Sequence, residues 1–297
     1  MKGLIICNGY GLADGIVNQI SRLKEEFSKR NILVTLKKNN EVLVYCNGSS
    51  IKKNLGDFDF VVYLDKDKFV ARMLEKEGYV LFNNSKAIEL CDDKMLTHIT
   101  LANNELNMPI TISSTLCYRD NFDRSFLDYV TNILSFPMIV KENYGSLGKQ
   151  VYLINNKEEL LNIENKLIHT PHLFQQFISS SKGMDYRIIV IGHKVVAYMK
   201  RENKNSYLSN LASGGTASIC KLPDEYLLAA IKASKILNLD YCGVDILKGP
   251  NNEPIISEVN SNAFYEGIEK VTGINVAGYY VDYIISKIKR GNDWLPL

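Results

Sequence analysis

The sequence predicts an α/β chain built from a Rossmann-like first domain and two α+β lobes, and three observations carry that expectation. Strand-like apolar runs alternate with helix-period segments over residues 1–93. From Met138 the pattern changes to strand, glycine loop, strand. The last third holds two strand pairs, one turning at Gly192-His193 and the other across residues 249–254.

Taken in order, the run Gly3 to Cys7 reads as the first strand and Asn8 to Asp14 as a loop. Ile16, Ile20, Leu23 and Phe27 then recur at helical spacing, with Asp14 placed as an N-cap and Lys29, Arg30 and Asn31 at the helix end. Leu33 to Lys37, Val42 to Tyr45, Phe60 to Leu64 and Tyr79 to Phe82 follow as strands, and the early βαβ order makes their sheet largely parallel. Asn83 to Asp93 and Lys94 to Asn107 read as two short helices leading through Met108-Pro109, a hinge candidate, into the strand-like Ile110 to Ser114. Met138 to Lys141 and Val151 to Ile154 flank Gly145 to Gly148, and a helix separates them from Leu173 to Phe177. Tyr186 to Ile191 pairs with Val195 to Lys200, after which come a loop rich in Asn, Ser and Gly and a buried helix over Tyr226 to Leu237. Gly243 to Leu247 and Ile255 to Val259 form the second hairpin. Ala277, Val281, Ile284, Ile285 and Ile288 give an amphipathic closing helix. These signals divide the chain into residues 1–93, 94–178 and 179–297.

With 297 residues, 46% of them hydrophobic and 23% charged, the chain can bury substantial cores and is not predominantly disordered. Its formal charge is only +2, from 35 Lys+Arg against 33 Asp+Glu, which argues against nucleic acid or an anionic membrane as partner. Small-molecule, amino acid or peptide substrates fit better, and a homo-oligomer is the expected assembly. No apolar run approaches the ~20 residues of a membrane span, and Leu4 to Cys7 is too short for a signal-peptide core, so a cytoplasmic location is expected. Cys7, Cys46, Cys91, Cys117, Cys220 and Cys242 form no CxxC pair and read mostly as reduced, buried fillers.

The second hairpin is the most informative segment. If its strands pair evenly about the midpoint between Asn251 and Asn252, Asp245 lies opposite Glu258, and Asn260 points to the same face. Two opposed carboxylates flanked by Val244, Ile246, Ile256 and Val259 call for a cation. Oxygen-only ligands select Mg²⁺ or Mn²⁺ over zinc. The alternative is two solvated acids on an edge strand.

Lys141-Glu142-Asn143-Tyr144-Gly145-Ser146-Leu147-Gly148-Lys149 is not a Walker A loop, because two residues rather than four separate its glycines and a strand follows. Strand, glycine loop, strand is the topology of a flap whose amides close over a triphosphate, with Lys141 at the hinge and Ser146 on outer oxygens. An ordinary hairpin with a glycine turn is the competing reading. Asp185 and Arg187 share one face of a strand, either as a surface ion pair or with Asp185 on a ribose hydroxyl and the arginines on phosphoryl charge. No HExxH, GxSxG or cysteine-histidine signature supports nucleophilic hydrolysis. Asn8-Gly9-Tyr10-Gly11 lacks the third glycine of a dinucleotide loop, Asp14 standing there, and reads as a tight turn beside a substrate pocket.

In chain order these residues resemble the ATP-grasp superfamily, and within it the RimK-type carboxylate-amine ligases. The resemblance is carried by NSKAIELCDDK (84–94), KENYGSLGKQVYLI (141–154), QQFISSSKGMDYRIIVIGHKVVAYMKR (175–201), SNLASGGTAS (209–218), GVDI (243–246) and EVNSNAFYEGIEKVTGINVAG (258–278). It implies the ATP-grasp fold: a Rossmann-like N-terminal domain, a small central lobe with a glycine-rich flap, and a C-terminal antiparallel-sheet lobe. ATP is then expected between the last two lobes, with Lys94 and Lys141 on phosphates, Gly145, Ser146 and Gly148 in the flap above them, and Asn210 nearby. Gln176 and Phe177 are expected at the adenine edge and Asp185 at the ribose. Asp245, Glu258 and Asn260 are expected to hold two Mg²⁺ ions, Glu258 bridging, with Mn²⁺ as a substitute. Arg187 and Arg201 are the catalytic candidates that steady an acyl phosphate.

The reaction implied is attack of a carboxylate on the γ-phosphate of ATP, followed by an amine, giving an amide, ADP and phosphate. Phosphoryl transfer depends on positioning and charge neutralisation more than on a protein nucleophile, and the chain offers the groups for that. Three departures stand out. Leu208 and Ser213 occupy positions where the family commonly has arginine, Asn262-Ala263-Phe264 replaces a Pro-Gly turn, and Gln176 replaces a glutamate. They imply an active ligase with altered substrate choice. A relative that binds ATP without ligating, or one that stops at phosphoryl transfer, is the alternative.

Overall fold

The computed structural model describes residues 1–119 and 124–291. The chain opens with β1 (Lys2–Cys7), α1 (Asp14–Lys29), β2 (Leu33–Lys38), a hairpin of β3 (Val44–Asn47) and β4 (Ser50–Lys53), then β5 (Phe60–Leu64), α2 (Lys68–Lys76) and β6 (Leu81–Phe82). β2-β1-β5-β6 form a wholly parallel sheet. β1 and β5 read as continuous apolar runs because both faces are covered. Asp14 is not the cap expected of it. Ala13 is the N-cap and bonds through no side chain, whereas Asp14 is the first helical residue, where its charge meets the positive helix end. The strand expected over Val42 to Tyr45 is present as β3, but it pairs antiparallel with β4 outside the parallel sheet, and neither β4 nor α2 was legible from apolar spacing. In α2 only Ala71 and Leu74 are buried, and the signal that marks it is Asp67, which accepts from the amides of Phe69 and Val70.

Next come α3 (Ser85–Asp92) and α4 (Lys94–Leu101), capped by Asn84 and Asp93. β7 (Thr111–Ser113), α5 (Ser125–Ile133), β8 (Met138–Glu142), β9 (Val151–Ile154), α6 (Lys157–Leu167) and β10 (His172–Gln176) follow. The order β7-β10-β8-β9 is antiparallel throughout, and its helices close a core of its own around Leu127, Val130, Val140, Leu160 and Phe174.

The remainder is β11 (Met184–Ile191), β12 (Lys194–Glu202), β13 (Thr216–Ser218), α7 (Asp224–Ile236), β14 (Tyr241–Lys248), β15 (Pro254–Asn260), α8 (Glu266–Thr272) and α9 (Val276–Gly291). The sheet order is β13-β12-β11-β14-β15. Alternation along β11 shows how both faces are filled: Ile188 and Val190 pack with Tyr226, Ala230 and Ala233 of α7. Ile189 and Ile191 join Tyr280 and Ile284 of α9 and, from the first sheet, Ile5, Phe60 and Phe82. The first sheet and the last therefore share one core, whereas the middle sheet has its own.

All six cysteines are free, but only Cys7, Cys91 and Cys242 are buried. Cys46 is exposed and Cys117 and Cys220 are half-buried, so the expectation of mostly buried fillers holds for half of them. No helix among the described residues is long and apolar enough to cross a membrane.

Asn83 fastens the shared core next to the strand that carries Asp245. Its carboxamide donates to the carbonyls of Tyr241 and Ser261, both at 2.8 Å, and accepts from the amides of Asp240 at 2.7 Å and Tyr241 at 3.0 Å. Replacing it by leucine strands four backbone groups at a buried junction. Asn83→Leu is expected to destabilise the chain by ~2–4 kcal/mol, read as a lower urea midpoint with unchanged slope; an unaltered midpoint would contradict this role.

Candidate active site

The β14–β15 hairpin brings the expected acids together, by a route that differs from even pairing. Asp245 stands opposite Glu258, Val244 opposite Val259 and Gly243 opposite Asn260. Toward the turn the register shifts, so that Ile246 meets Ile256 and Lys248 meets Pro254. The turn is closed by Gly249 N to Glu253 O at 2.8 Å and Asn252 N to Gly249 O at 3.0 Å, with Asn252 at φ +69°. It thus centres on Asn251, and a bulge at Ser257 restores the pairing expected of Asp245. The bulge also lets Ser257 line the same cavity as Glu258, which strict alternation forbids.

Asp245 is nearly fully buried and sits in a chain of alternating charges. Arg187 Nε donates to its Oδ1 and Arg187 Nη2 to its Oδ2 at 2.6 Å. Arg201 Nη2 lies 3.0 Å from Oδ2, and the Asn260 amide reaches that oxygen at 3.5 Å. Arg201 in turn grips Asp185 through Nε–Oδ1 at 2.7 Å and Nη2–Oδ2 at 2.5 Å. The surface ion pair of Asp185 with Arg187 is therefore not formed; the ladder sets Arg187 opposite Asp245 and Asp185 opposite Arg201. Burial pushes both acids up, but the two guanidiniums outweigh it at Asp245, whose pKa ends below the ordinary carboxylate value. At Asp185 burial, helped by the negative Asp245, prevails over Arg201 and raises the pKa. Arg201 is held protonated: burial opposes its charge, and the two acids more than compensate.

Across the cleft stand two lysines that burial makes reluctant cations. Desolvation takes Lys141 down to about 8 against an opposing pull from Glu258. Lys94 is lowered by burial too, and among the described residues its ammonium reaches only carbonyl oxygens, of Gly145 at 3.3 Å and Asn143 at 3.5 Å. Glu258 forms no hydrogen bond or ion pair among the described residues. An unpartnered carboxylate facing two dehydrated ammonium groups marks a place where anionic phosphate and a divalent cation both gain.

The flap lies over this gap. Gly145 and Gly148 have φ of +153° and +76°, and Leu147 joins them in the left-handed region at +59°. A methyl at Gly145 would meet Gln150 Oε1 at 2.5 Å, and that oxygen accepts from Ser146 N at 3.3 Å. Gln150, which sequence reasoning passed over, thus braces the loop from beneath. Lys94, Lys141, Gly145, Ser146, Gly148, Gln176, Phe177, Asp185, Asn210, Asp245 and Glu258 all line one cavity beneath the flap. Arg187, Arg201 and Asn260 do not line it; they back it through Asp245. The cavity is open to solvent, with a volume of about 120 Å³.

Other lining groups had no sequence signal. Gln175 lies beside Gln176, buried, 3.0 Å from His98 Nε2, and burial lowers the His98 pKa to about 4. Gln176 Oε1 accepts from Ile110 N at 3.3 Å while the Gln176 backbone N–H donates to Ile110 O at 2.9 Å, and Phe177 follows just after β10. The Asn8–Gly11 segment is the tight turn expected: Asn8 Oδ1 accepts from Tyr10 N and Asn39 Oδ1 from Gly9 N. It sits at the carboxyl end of β1, near the segment after β15, where Phe264 packs against Gly15 and Asn262 donates to Leu64 O.

The donor set fits a hard divalent cation. No group of three His, Cys, Asp or Glu assembles among the described residues, so a metal here would rest on two carboxylates and the Asn260 carboxamide. The Glu258 oxygens are uncommitted, and Asp245, although gripped by arginines, keeps lone pairs beyond those they use.

Residues 91–284 match the RimK-like ATP-grasp domain. The chain is 34% identical over 232 residues to human (Homo sapiens) beta-citrylglutamate synthase B, covering 77% of this chain and 59% of that protein. It is 35% identical over 225 residues to a probable alpha-L-glutamate ligase of Maridesulfovibrio salexigens, covering 75% and 72%. Among solved structures, a RimK-domain ATP-grasp protein of Sphaerobacter thermophilus superposes with TM-score 0.71 at 16% identity, over 96% of this chain and 100% of that one. D-alanine–D-alanine ligase of Bacillus anthracis complexed with ATP superposes with TM-score 0.73 at 19% identity, over 99% of each chain. By fold and by family match, this chain belongs to the RimK-like ATP-grasp family.

Proposed function

We propose that the chain is an ATP-dependent carboxylate-amine ligase that forms an amide through an acyl phosphate and releases ADP and phosphate. The observation that carries this is the uncommitted Glu258 facing Lys94 and Lys141 under a glycine flap. In this reading Lys94 and Lys141 hold phosphate oxygens, the amides around Ser146 and Gly148 cover them, and Asn210 contributes from the far wall. Gln176 and Phe177 take the adenine edge. Asp185 meets the ribose with the lone pairs that Arg201 leaves free. Asp245, Glu258 and Asn260 would hold Mg²⁺, two ions in this reading, and the metal would supply charge neutralisation for the transferring phosphoryl group.

The substrate carboxylate attacks the γ-phosphorus and ADP leaves; the amine then attacks the acyl carbon, forming the C–N bond as phosphate departs. No protein nucleophile is required, so orientation and charge do the catalysis. Arg187 and Arg201, the catalytic candidates of the sequence, back the cavity without lining it and in this reading act on the acyl phosphate indirectly, by holding Asp245. The functional division is 1–93, 94–178 and 179–297, with the substrates admitted between the first-domain loops and the 206–218 loop. The relatives' names point to an amino acid or a small carboxylate on each side of the bond. Leu208 and Ser213 shift the choice away from a standard glutamate addition. Six free thiols suit a cytoplasmic location.

An ADP-release screen pairing citrate, L-glutamate, N-acetylaspartate and short peptides with amino acids is expected to give turnover that requires both partners, with mass spectrometry showing loss of water between them. ADP release that needs no amine and leaves a stable phosphorylated product would favour phosphoryl transfer alone. Glu258→Gln is expected to lower such turnover by roughly 100-fold or more while leaving the fold intact, whereas Asp245→Asn strips the half-buried Arg187 of its counter-charge, leaves buried Arg201 with Asp185 alone, and should also cost ~3 kcal/mol of stability. Turnover that survives Glu258→Gln contradicts the assignment.

Lys141 adds a pH signature. Its ammonium is present below about 8 and lost above it, in a pH range where an ordinary lysine would stay charged. Metal-free ADP should therefore bind with constant affinity up to neutrality and progressively more weakly above about pH 8, with proton uptake seen by calorimetry in buffers of different ionisation enthalpy. Lys141→Arg should flatten that profile, and a profile identical in the two proteins would exclude Lys141 from the phosphates.

A further inference from the structure

An acyl phosphate can lose its phosphate to an amine or to water, and ATP itself can lose its γ-phosphate to water, so something must keep the cleft dry. The segment from Asn205 to Cys220 carries no charged side chain, and its residues Tyr207 to Asn210 line the cavity beneath the flap. Tyr207 Oη donates to the carbonyl of Val151, the first residue of β9, at 2.8 Å. Leu208 lies under the flap itself: a methyl at Gly148 would stand 3.2 Å from Leu208 Cδ1 and 3.0 Å from Asn210 Nδ2. The same segment is tied back to the C-terminal lobe. Gly183 N donates to Tyr207 O at 3.3 Å, and Leu211 packs so closely on α8 that a methyl at Gly267 would meet its Cδ1 at 2.6 Å.

We propose that Tyr207 and Leu208 seal the flap against water. The phenol latches β9, and the leucine fills the gap below Gly148 with a surface that offers water no hydrogen bond. A cation in place of Leu208 would bring its own hydration shell to the reacting phosphate; an aliphatic side chain does not. Both are positioning residues, acting through the flap. With the seal intact, the amine nitrogen takes the acyl carbon, the C–O bond to phosphate breaks, and the nitrogen's proton leaves. With it broken, water returns the free carboxylate and phosphate, or hydrolyses ATP directly to ADP and phosphate.

The inference rests on the ligase reading, but its test does not need the unidentified substrates. The chain with Tyr207→Phe, Leu208→Ala or the volume-conserving Leu208→Met is compared with the unsubstituted chain. Backbone hydrogen exchange over residues 145–151 is expected to rise ~10-fold or more in the first two variants, with residues 241–248 unchanged. With ATP and Mg²⁺ alone, their hydrolysis to ADP and phosphate is expected to rise roughly 5-fold or more, and Leu208→Met, which keeps the side-chain volume, is expected to raise it less than Leu208→Ala. Unchanged flap exchange and unchanged hydrolysis in both Tyr207→Phe and Leu208→Ala would overturn the seal. If the seal's effects are seen but no carboxylate accelerates ADP release, the ligase reading fails while the seal stands. If carboxylate-dependent release is present and neither variant alters flap or hydrolysis, the reading stands and the seal fails.

Discussion

Everything at the candidate site depends on one buried run of charge, Asp185 to Arg201 to Asp245 to Arg187, laid across three adjacent strands. Such a run is poor evidence of stability, because dehydrating four ions costs about as much as their attraction returns. What it does supply is position. Each carboxylate is gripped at both oxygens, so Asp245 cannot rotate, and Asn260 leans on the same oxygen from the neighbouring strand. Glu258, directly opposite, has no such partner. The hairpin therefore presents one fixed acid and one uncommitted acid, an arrangement that suits a ligand arriving with its own positive charge.

The opposing wall is electrostatically matched to that arrangement. Lys94 and Lys141 lie on elements of the middle sheet and the helix that enters it, packed tightly enough that burial works against their charge. A phosphate chain between the lysines and the hairpin relieves both costs together: the ammonium groups gain an anion and the acids gain the accompanying metal. The distribution of cores fits this division of labour. The first and last sheets share one apolar interior, whereas the middle sheet closes on its own interior.

Much of this was legible in the sequence, and what was not has identifiable physical causes. Apolar runs gave the parallel first sheet because strands covered on both faces carry no polar positions to blur them. Asp245 and Glu258 were paired correctly although the turn is not where symmetry put it: Asn252 adopts a left-handed conformation that recentres the turn, and the bulge at Ser257 compensates. Composition encodes neither event. Short amphipathic pieces such as α2, where only Ala71 and Leu74 are buried, lie below what periodicity can detect. Arg187 was placed on the right strand and Arg201 just past the end of its strand, which in fact runs to Glu202, and their bonds to Asp245 depend on register between strands far apart in sequence. The bracing by Gln150 and the contact of Leu208 with Gly148 likewise arise only when the flap and the 206–215 loop meet.

The most direct test of the central claim is anomalous scattering from Mn²⁺ in crystals of the chain grown with ADP. The account predicts manganese about 2.1 Å from oxygens of Glu258 and Asp245, bridging toward the nucleotide's phosphates beneath residues 145–148. Manganese bound elsewhere, or Glu258 turned away from the cleft with the phosphates distant from Lys94 and Lys141, would contradict it.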